Sequence, residues 1–291
     1  MKSMKSLKTL DVNLFYNYFW DASFPLFLLE GADNKKFLQG QTTADILGVR
    51  DGGLLRTCWL SPVGRLKALL EIRLVGETIS FIVLGGNIDE VIDGFDKVIF
   101  PADKVNIRAS KEIRRLQKIN YNESWKVTPV EWLLPSAELP NDFEKLKPAS
   151  KEMTQEWSLI QGLPYDLFEI DGNSNPLELG LSDLIDFDKG CYLGQETLAK
   201  IKNIGRLKCQ LRYFKSQRIL RKGDSLNISS IDINEKQNVG IVVASKTFGS
   251  SSSIGLALIK RKYCICEEID LNDELGVLKL NKPIGYNDLI I

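Results

Sequence analysis

Histidine is absent from this chain of 291 residues. Without it the sequence cannot form a catalytic triad built on histidine, a histidine-ligated zinc site or a histidine proton shuttle. Any catalysis would have to move protons with carboxylates, lysine, cysteine, tyrosine or water. An excess of one charge is also lacking, because 38 Lys and Arg balance 38 Asp and Glu. The net charge therefore gives no reason to expect nucleic acid or an anionic membrane as a partner.

Cysteine is scarce, and its pattern argues against disulfides. The five cysteines are an odd number and contain no C-x-x-C pair, which favours reduced thiols. Cys264 and Cys266 form a C-x-C pair that can hold a soft metal, but this spacing more often places two side chains on one face of a strand. We therefore predict no metal site.

Long apolar runs are missing as well. No segment approaches the roughly 20 apolar residues that span a bilayer. The basic N-terminus, with Lys2, Lys5 and Lys8, is not followed by an extended apolar stretch, so we predict neither a signal peptide nor a membrane anchor. The expected location is the cytoplasm.

The order of the predicted elements indicates an α+β fold in two parts. Before residue 205 the pattern predicts a helix over 10–20, strands over 70–74 and 79–83 joined by a turn at Gly76, a helix that begins after Asn87, and a helix that ends at Gly162. After residue 205 short alternating strands, separated by turn-forming residues, predict a small β-barrel or sandwich.

The most informative segment is KGCYLGQE at residues 189–196. Glycine permits positive φ and close backbone approach, so Gly190 and Gly194 predict a sharply bent loop around Cys191. A helix is predicted to begin just after it. A thiol near a helix N-terminus and beside Lys189 would have its thiolate stabilised by the dipole and the cation, although nearby carboxylates oppose this. From these residues alone, Cys191 is either a reactive thiol or a structural cysteine in a turn.

This octapeptide resembles the K-G-C-Y-x-G-Q-E signature of the YgfZ-like tetrahydrofolate-binding family, which is related to the aminomethyltransferase, or T-protein, of the glycine cleavage system. Other segments are similar to that family in the same order along nearly the whole chain. They are FLQGQ at 37–41, PVGRL at 62–66 with Val63 in place of the usual Lys, GLP at 162–164, and the segments 238–245 and 255–258.

The resemblance implies a T-protein-like α+β folate-binding region over residues 1–205 and a C-terminal β-barrel over residues 206–291. It implies tetrahydrofolate as cofactor, a role in the assembly or repair of iron–sulfur proteins, and those client or assembly proteins as partners. Cys191 would be the functional thiol. The residues that would shape its loop and bind the cofactor are Lys189, Gly190, Tyr192, Gly194, Gln195 and Glu196.

Three kinds of chemistry at Cys191 stay open at this point. The thiol can form a mixed disulfide, engage a one-carbon unit derived from folate, or hold a transient cluster intermediate. Stable carriage of an iron–sulfur cluster is not expected, because a cluster normally takes four protein ligands.

The alternative function is aminomethyl transfer of the T-protein type. In the T-protein an Asp follows a Gly-Gly turn, and aligning that turn with Val63-Gly64 puts Lys67 and Ala68 in the acidic positions. A lysine cannot replace a carboxylate toward a cationic amine donor. The T-protein element R-x-E-x-G, which supplies a pteridine-contacting Glu, falls on residues 158–162, with Ile160 in the Glu position. Both departures argue against this activity.

A local charge bias is independent of the resemblance. Residues 197–223 contain nine Lys or Arg and no Asp or Glu. One explanation is a solvated strand face. The other is a basic surface that attracts an acidic partner protein or the glutamate tail of folate, including its polyglutamylated forms. Nucleic acid is a weaker explanation, because no aromatic stacking pattern accompanies the charge.

Overall fold

The computed structural model describes residues 17–229, 236–271 and 276–289. Within these ranges the chain is a mixed α/β protein with three sheets. The strands are β1 (Tyr18–Phe24), β2 (Phe27–Glu30), β3 (Leu54–Leu60), β4 (Leu66–Val75), β5 (Thr78–Gly86), β6 (Asn106–Ala109), β7 (Ile113–Lys118), β8 (Val130–Leu133), β9 (Lys147–Pro148), β10 (Cys209–Ser216), β11 (Ser225–Ser229), β12 (Lys236–Phe248), β13 (Ser252–Lys260), β14 (Glu268–Leu271) and β15 (Gly276–Asn281). The helices are α1 (Asn34–Gln41), α2 (Ile88–Asp96), α3 (Asn141–Glu144), α4 (Lys151–Gln161) and α5 (Gln195–Ile204).

Strand β1 joins the second sheet with β7 to β9, strands β2 to β6 form the first sheet, and the third sheet contains the C-terminal strands β10 to β15. The first has the antiparallel order β3-β4-β5-β2-β6, and the second has the order β8-β7-β1-β9, with β9 parallel to β1. The third is antiparallel with the order β11-β12-β13-β10-β15-β14. Its edge strands β11 and β14 lie against each other, so this sheet is a nearly closed barrel. The predicted C-terminal barrel is thereby confirmed.

Several local predictions before residue 205 are confirmed. The turn between β4 and β5 contains Gly76 at φ +60°. The side chain of Asn87 caps α2 by accepting a hydrogen bond of 3.1 Å from the Glu90 amide. Helix α4 ends at Gly162, which has φ +67°. Each element is specified by residues within a few positions of its end, so local chemistry is enough to predict it.

The helix predicted over residues 10–20 is wrong for Tyr18–Trp20, which lie in strand β1, and residues 10–16 lie outside the described ranges. Phe19 and Trp20 are both buried, but in different core clusters. Consecutive strand residues point to opposite faces, so a strand buried on both faces carries adjacent aromatics. This pattern is easily mistaken for one apolar helix face.

The largest core cluster joins the N-terminal sheets to the barrel. It includes Trp20 of β1, Trp157 of α4, Leu211 of β10, and Tyr192 from the loop before α5. The barrel interior has its own cluster around Phe214. The division into regions at residue 205 stays a prediction. No helix in the described ranges is long and apolar enough to cross a membrane.

Candidate functional site

Three of the segments that resemble the YgfZ-like family meet at one place in the fold. The Leu193 amide donates to the Gly40 carbonyl at 3.0 Å, which joins the 189–196 loop to the end of α1. Gly194 packs on the Gly64 turn, and a Cβ placed on it would lie 2.7 Å from the Ser61 carbonyl oxygen and 3.1 Å from the Gly64 Cα. Segments 37–41, 62–66 and 189–196 therefore form one site, although long stretches of chain separate them.

The two glycines of the loop have different roles. Gly194 has φ +82° as well as close neighbours, so both its conformation and its packing require glycine. Gly190 has a negative or extended φ, and a Cβ built there meets no atom within 4 Å. Only Gly194 therefore makes the sharp bend that the sequence predicted for both. The helix predicted after the loop is α5, whose first turn contains Gln195 and Glu196.

Cys191 is exposed at the apex of this loop. The flanking side chains Lys189 and Tyr192 point inward, and Tyr192 is only 7% exposed. The other cysteines within the described ranges are buried (Cys58) or half-buried (Cys209, Cys264 and Cys266). The structure thus presents the Cys191 thiol to solvent more fully than any of these.

The Lys189 ammonium makes three hydrogen bonds to backbone carbonyls, which the sequence did not predict. Its Nζ donates to Gln39 at 2.8 Å, to Thr42 at 2.6 Å and to Ala44 at 2.6 Å. It also lies 5.0 Å from the centre of the Tyr192 ring. Burial lowers the pKa of Lys189 to about 8, although the nearby carboxylates of Asp45 and Asp186 oppose this shift. The cation expected beside the thiol is therefore directed to the end of α1.

An open cleft of about 660 Å³ adjoins the loop on its N-terminal side. Its charged lining consists of four carboxylates and three cations. They are Asp45, Asp183, Asp186, Asp188, Arg56, Lys126 and Lys202. Apolar walls come from β3, the 184–187 segment and Val127. Cys191 does not line this cleft, but Asp186 and Asp188 connect the cleft to the loop that carries the thiol.

A buried carboxylate lies under the cleft, and sequence reasoning missed its role. Glu71 on β4 is 0% exposed. It accepts from Arg56 Nε at 2.9 Å, from Arg115 Nε and Nη2 at 2.9 Å each, and from Trp132 Nε1 at 2.8 Å. Burial by itself raises the pKa of Glu71, but the two arginine charges outweigh it and hold the pKa at about 2. The apolar Leu69, two residues earlier on the same face of β4, was the available signal that this face is buried.

Lys126 is a second buried ionic residue at the cleft. Its Nζ donates to the Gly180 carbonyl at 2.9 Å, to Asp183 Oδ1 at 2.5 Å and to Asn287 Oδ1 at 3.2 Å. Burial lowers the pKa of Lys126, and the Asp183 carboxylate opposes that shift. These bonds tie the segment near residue 287 to the wall of the cleft.

The structure places the nine cations of residues 197–223 in different surroundings. Arg212 is buried and bonded to Gln210 and to carbonyl oxygens of β10 and Cys264. Lys222 pairs with Glu169 at 2.6 Å. Of the nine, Lys202 lines the cleft, where its Nζ lies 4.4 Å from the centre of the Phe187 ring. A basic surface formed by the remaining exposed cations stays a prediction, and Lys202 is the one of the nine placed to meet a ligand in the cleft.

The described ranges contain no group of three or more Cys, Asp or Glu side chains arranged to hold a metal ion. The C-x-C pair packs instead with the barrel core, and the Cys264 thiol donates to the Ile259 carbonyl.

Comparison with known proteins supplies relatives for this arrangement. No family model matches the chain. The tRNA-modifying protein YgfZ of Aliivibrio fischeri is 25% identical, over 90% of this chain and 91% of its own. The aminomethyltransferase of Caldanaerobacter subterraneus subsp. tengcongensis is 32% identical, but the match covers 48% of this chain and 35% of the relative.

The fold has a solved counterpart. The crystal structure of the glycine cleavage system aminomethyltransferase T from Bartonella henselae superposes with a TM-score of 0.73 at 13% identity, covering 97% of this chain and 91% of that one. At that identity the likeness shows the fold alone. The sequence relatives support a YgfZ-like family for this chain, with a partial likeness to aminomethyltransferases, and the solved structure agrees with that family in fold.

Proposed function

We propose that this protein is a tetrahydrofolate-binding accessory protein that supports the assembly or repair of iron–sulfur proteins through the thiol of Cys191. The observation that carries the proposal is the meeting of three separate segments around one exposed cysteine. A loop that is held at both ends by tertiary contacts, and that turns its thiol outward, suits reaction with another molecule. Iron–sulfur proteins as the clients come from the family resemblance.

The second candidate, aminomethyl transfer, is supported by the fold and by the partial match to an aminomethyltransferase. The chemistry of β4 opposes it. Lys67, in the position of the expected acid, pairs with Glu90 at 2.5 Å, and Ala68 is fully buried. The nearest carboxylate along the strand, Glu71, is saturated by arginine and tryptophan donors. No carboxylate of this strand is therefore available to assist an amine donor.

The residues of the cleft fit a folate. Its volume lies within the usual range of about 300–1,000 Å³ for ligand pockets. Carboxylates such as Asp183 and Asp186 can accept from the amino group of a pterin, and Lys202 can bind a glutamate carboxylate. Arg56 also lines the cleft, and its buried Nη2 has no hydrogen-bond partner among the described residues. Tetrahydrofolate bound there would supply a one-carbon acceptor and a reduced pterin.

A folate titration followed by intrinsic tryptophan fluorescence tests the cofactor. Trp125 lies under Arg56, with 5.4 Å between its ring centre and the guanidinium carbon, so ligand contact with Arg56 should change the emission. We expect a saturable change with tetrahydrofolate. Lys202→Glu should lower the affinity for triglutamylated folate by about tenfold, the equivalent of about 1.4 kcal/mol, and should lower the affinity for the monoglutamate less.

Lys215→Glu is the matched control, because Lys215 is an exposed cation of the same stretch that does not line the cleft. It should leave both affinities unchanged. If the wild-type protein shows no saturable change, folate is not its ligand. If the two variants lose affinity equally, Lys202 does not bind the glutamate tail.

An assay of glycine cleavage with lipoylated carrier protein separates the two candidate functions. We expect turnover at least about a hundredfold below that of a true T-protein, because general acid–base assistance is worth about that much or more. Lys67→Asp should not restore activity, because Ile160 still stands in the position of the pteridine-contacting Glu. Turnover equal to that of a T-protein would contradict the accessory function.

A further inference from the structure

The end of helix α1 lacks a cation of its own. No basic residue lies in its last turn, and the last carbonyls of a helix have no partners within the helix. The negative end of the helix dipole also lies there. Lys189, which is 150 residues away from Gln39 in the sequence, supplies an ammonium to the Gln39 carbonyl of this last turn, and also to the carbonyls of the C-cap Thr42 and of Ala44 beyond it.

The backbone of the loop is tied to the same segment on both sides of Lys189. Before it, the Asp186 amide donates to the Thr43 carbonyl at 2.9 Å, and Thr43 Oγ1 donates to the Leu184 carbonyl at 2.7 Å. After it, the Leu193 amide donates to the Gly40 carbonyl at 3.0 Å. The Lys189 side chain makes a further tie between these points, two residues before Cys191, as the Leu193 amide does two residues after it.

The inward direction of Lys189 accounts for the outward direction of the thiol. With Lys189 bound to carbonyls and Tyr192 packed in the core, the short segment between them turns away from the protein. An ammonium suits this position because it presents three donors from one atom, whereas the planar guanidinium fork of arginine cannot converge on three carbonyls in the same way. The charged groups that face Lys189 are Asp45 and Asp186.

We infer that Lys189 is a positioning residue: its ammonium, bound by three backbone carbonyls at and just after the end of α1, holds the loop that presents Cys191, and it neither activates the thiol nor binds the ligand. This inference rests on the proposed role of Cys191 for its importance. Its test needs neither folate nor a client protein, so the two can fail separately.

The experiment measures two properties of Lys189→Ala: hydrogen exchange of the loop amides and the pH profile of Cys191 alkylation by iodoacetamide. Loss of three charge-assisted hydrogen bonds should raise the exchange of the Asp186 and Leu193 amides by about tenfold or more. Propylammonium replaces the missing part of the side chain and should restore protection. The uncharged propanol should not. The alkylation pH profile should stay unchanged.

Lys200→Ala is the control, since Lys200 is an exposed lysine of α5, and it should alter neither property. Lys189→Met keeps much of the apolar stem and serves as the second variant if the alanine variant does not fold. The inference is overturned by unchanged exchange, by no recovery with propylammonium, or by an alkylation profile shifted to higher pH. The last result would show that Lys189 activates the thiol.

Discussion

Cys191→Ala is expected to reduce support of iron–sulfur enzymes to the level of a strain that has no YgfZ-like protein. The thiol is exposed, so its removal should leave the fold and its melting temperature unchanged while it removes the reactive group. None of the other described cysteines is placed to substitute for it. Burial raises the pKa of the Cys58 thiol to about 12, which keeps that thiol protonated and unreactive at physiological pH.

The measurement is the activity of a [4Fe–4S] enzyme in a deletion strain that expresses each variant at equal abundance. Cys266→Ala is the matched control, because Cys266 is half-buried in the barrel region, and we expect it to support activity like the wild type. Full support by Cys191→Ala would contradict the proposed function, whatever the outcome of the folate titration.

Glu71→Gln should lower the free energy of unfolding by about 3–5 kcal/mol, because it leaves two buried arginine charges without their counter-ion. For a chain of this size the melting temperature should fall by roughly 10 °C. Glutamine has nearly the same shape, so the change tests the charge and not the packing. Thermal unfolding followed by circular dichroism measures the effect.

The control is Glu30→Gln, which breaks an exposed pair of similar geometry with Arg108, at 2.9 and 3.1 Å. Water already screens that pair, so the melting temperature should not change. Equal melting temperatures for Glu71→Gln and the wild type would show that the Glu71 carboxylate contributes nothing net to stability.

The same carboxylate gives a stability that depends on pH. Its pKa is lowered in the folded protein, from the ordinary 4.5 to about 2, so its contribution is fully present above about pH 5. It is lost as the pH falls from 4.5 toward 2, because the unfolded chain then binds the proton more strongly. A shift of this size corresponds to about 3 kcal/mol. Between pH 5 and pH 3 the wild type should lose more stability than Glu71→Gln.

Local signals in the sequence predicted the elements that depend on near neighbours. The turn at Gly76, the Asn87 cap and the end of α4 at Gly162 each involve residues a few positions apart. Strand β1 was missed, because adjacent apolar residues buried in two different cores resemble one helix face until the second sheet is known. The burial of Glu71 was missed for a related reason, since both faces of β4 are covered by elements distant in the chain.

The sequence by itself determined which chemistry is available. It contains no histidine. Through its resemblance to the YgfZ-like family, it also indicates one cysteine in a signature loop, and Lys67 and Ala68 in the positions where a T-protein carries acids. Only the tertiary structure decided that this thiol is exposed, that Lys189 binds the end of α1, and that Lys202 alone among the nine clustered cations lines the cleft. The reason is physical: residue types fix which groups can react, whereas exposure and partners depend on contacts between segments far apart in the chain.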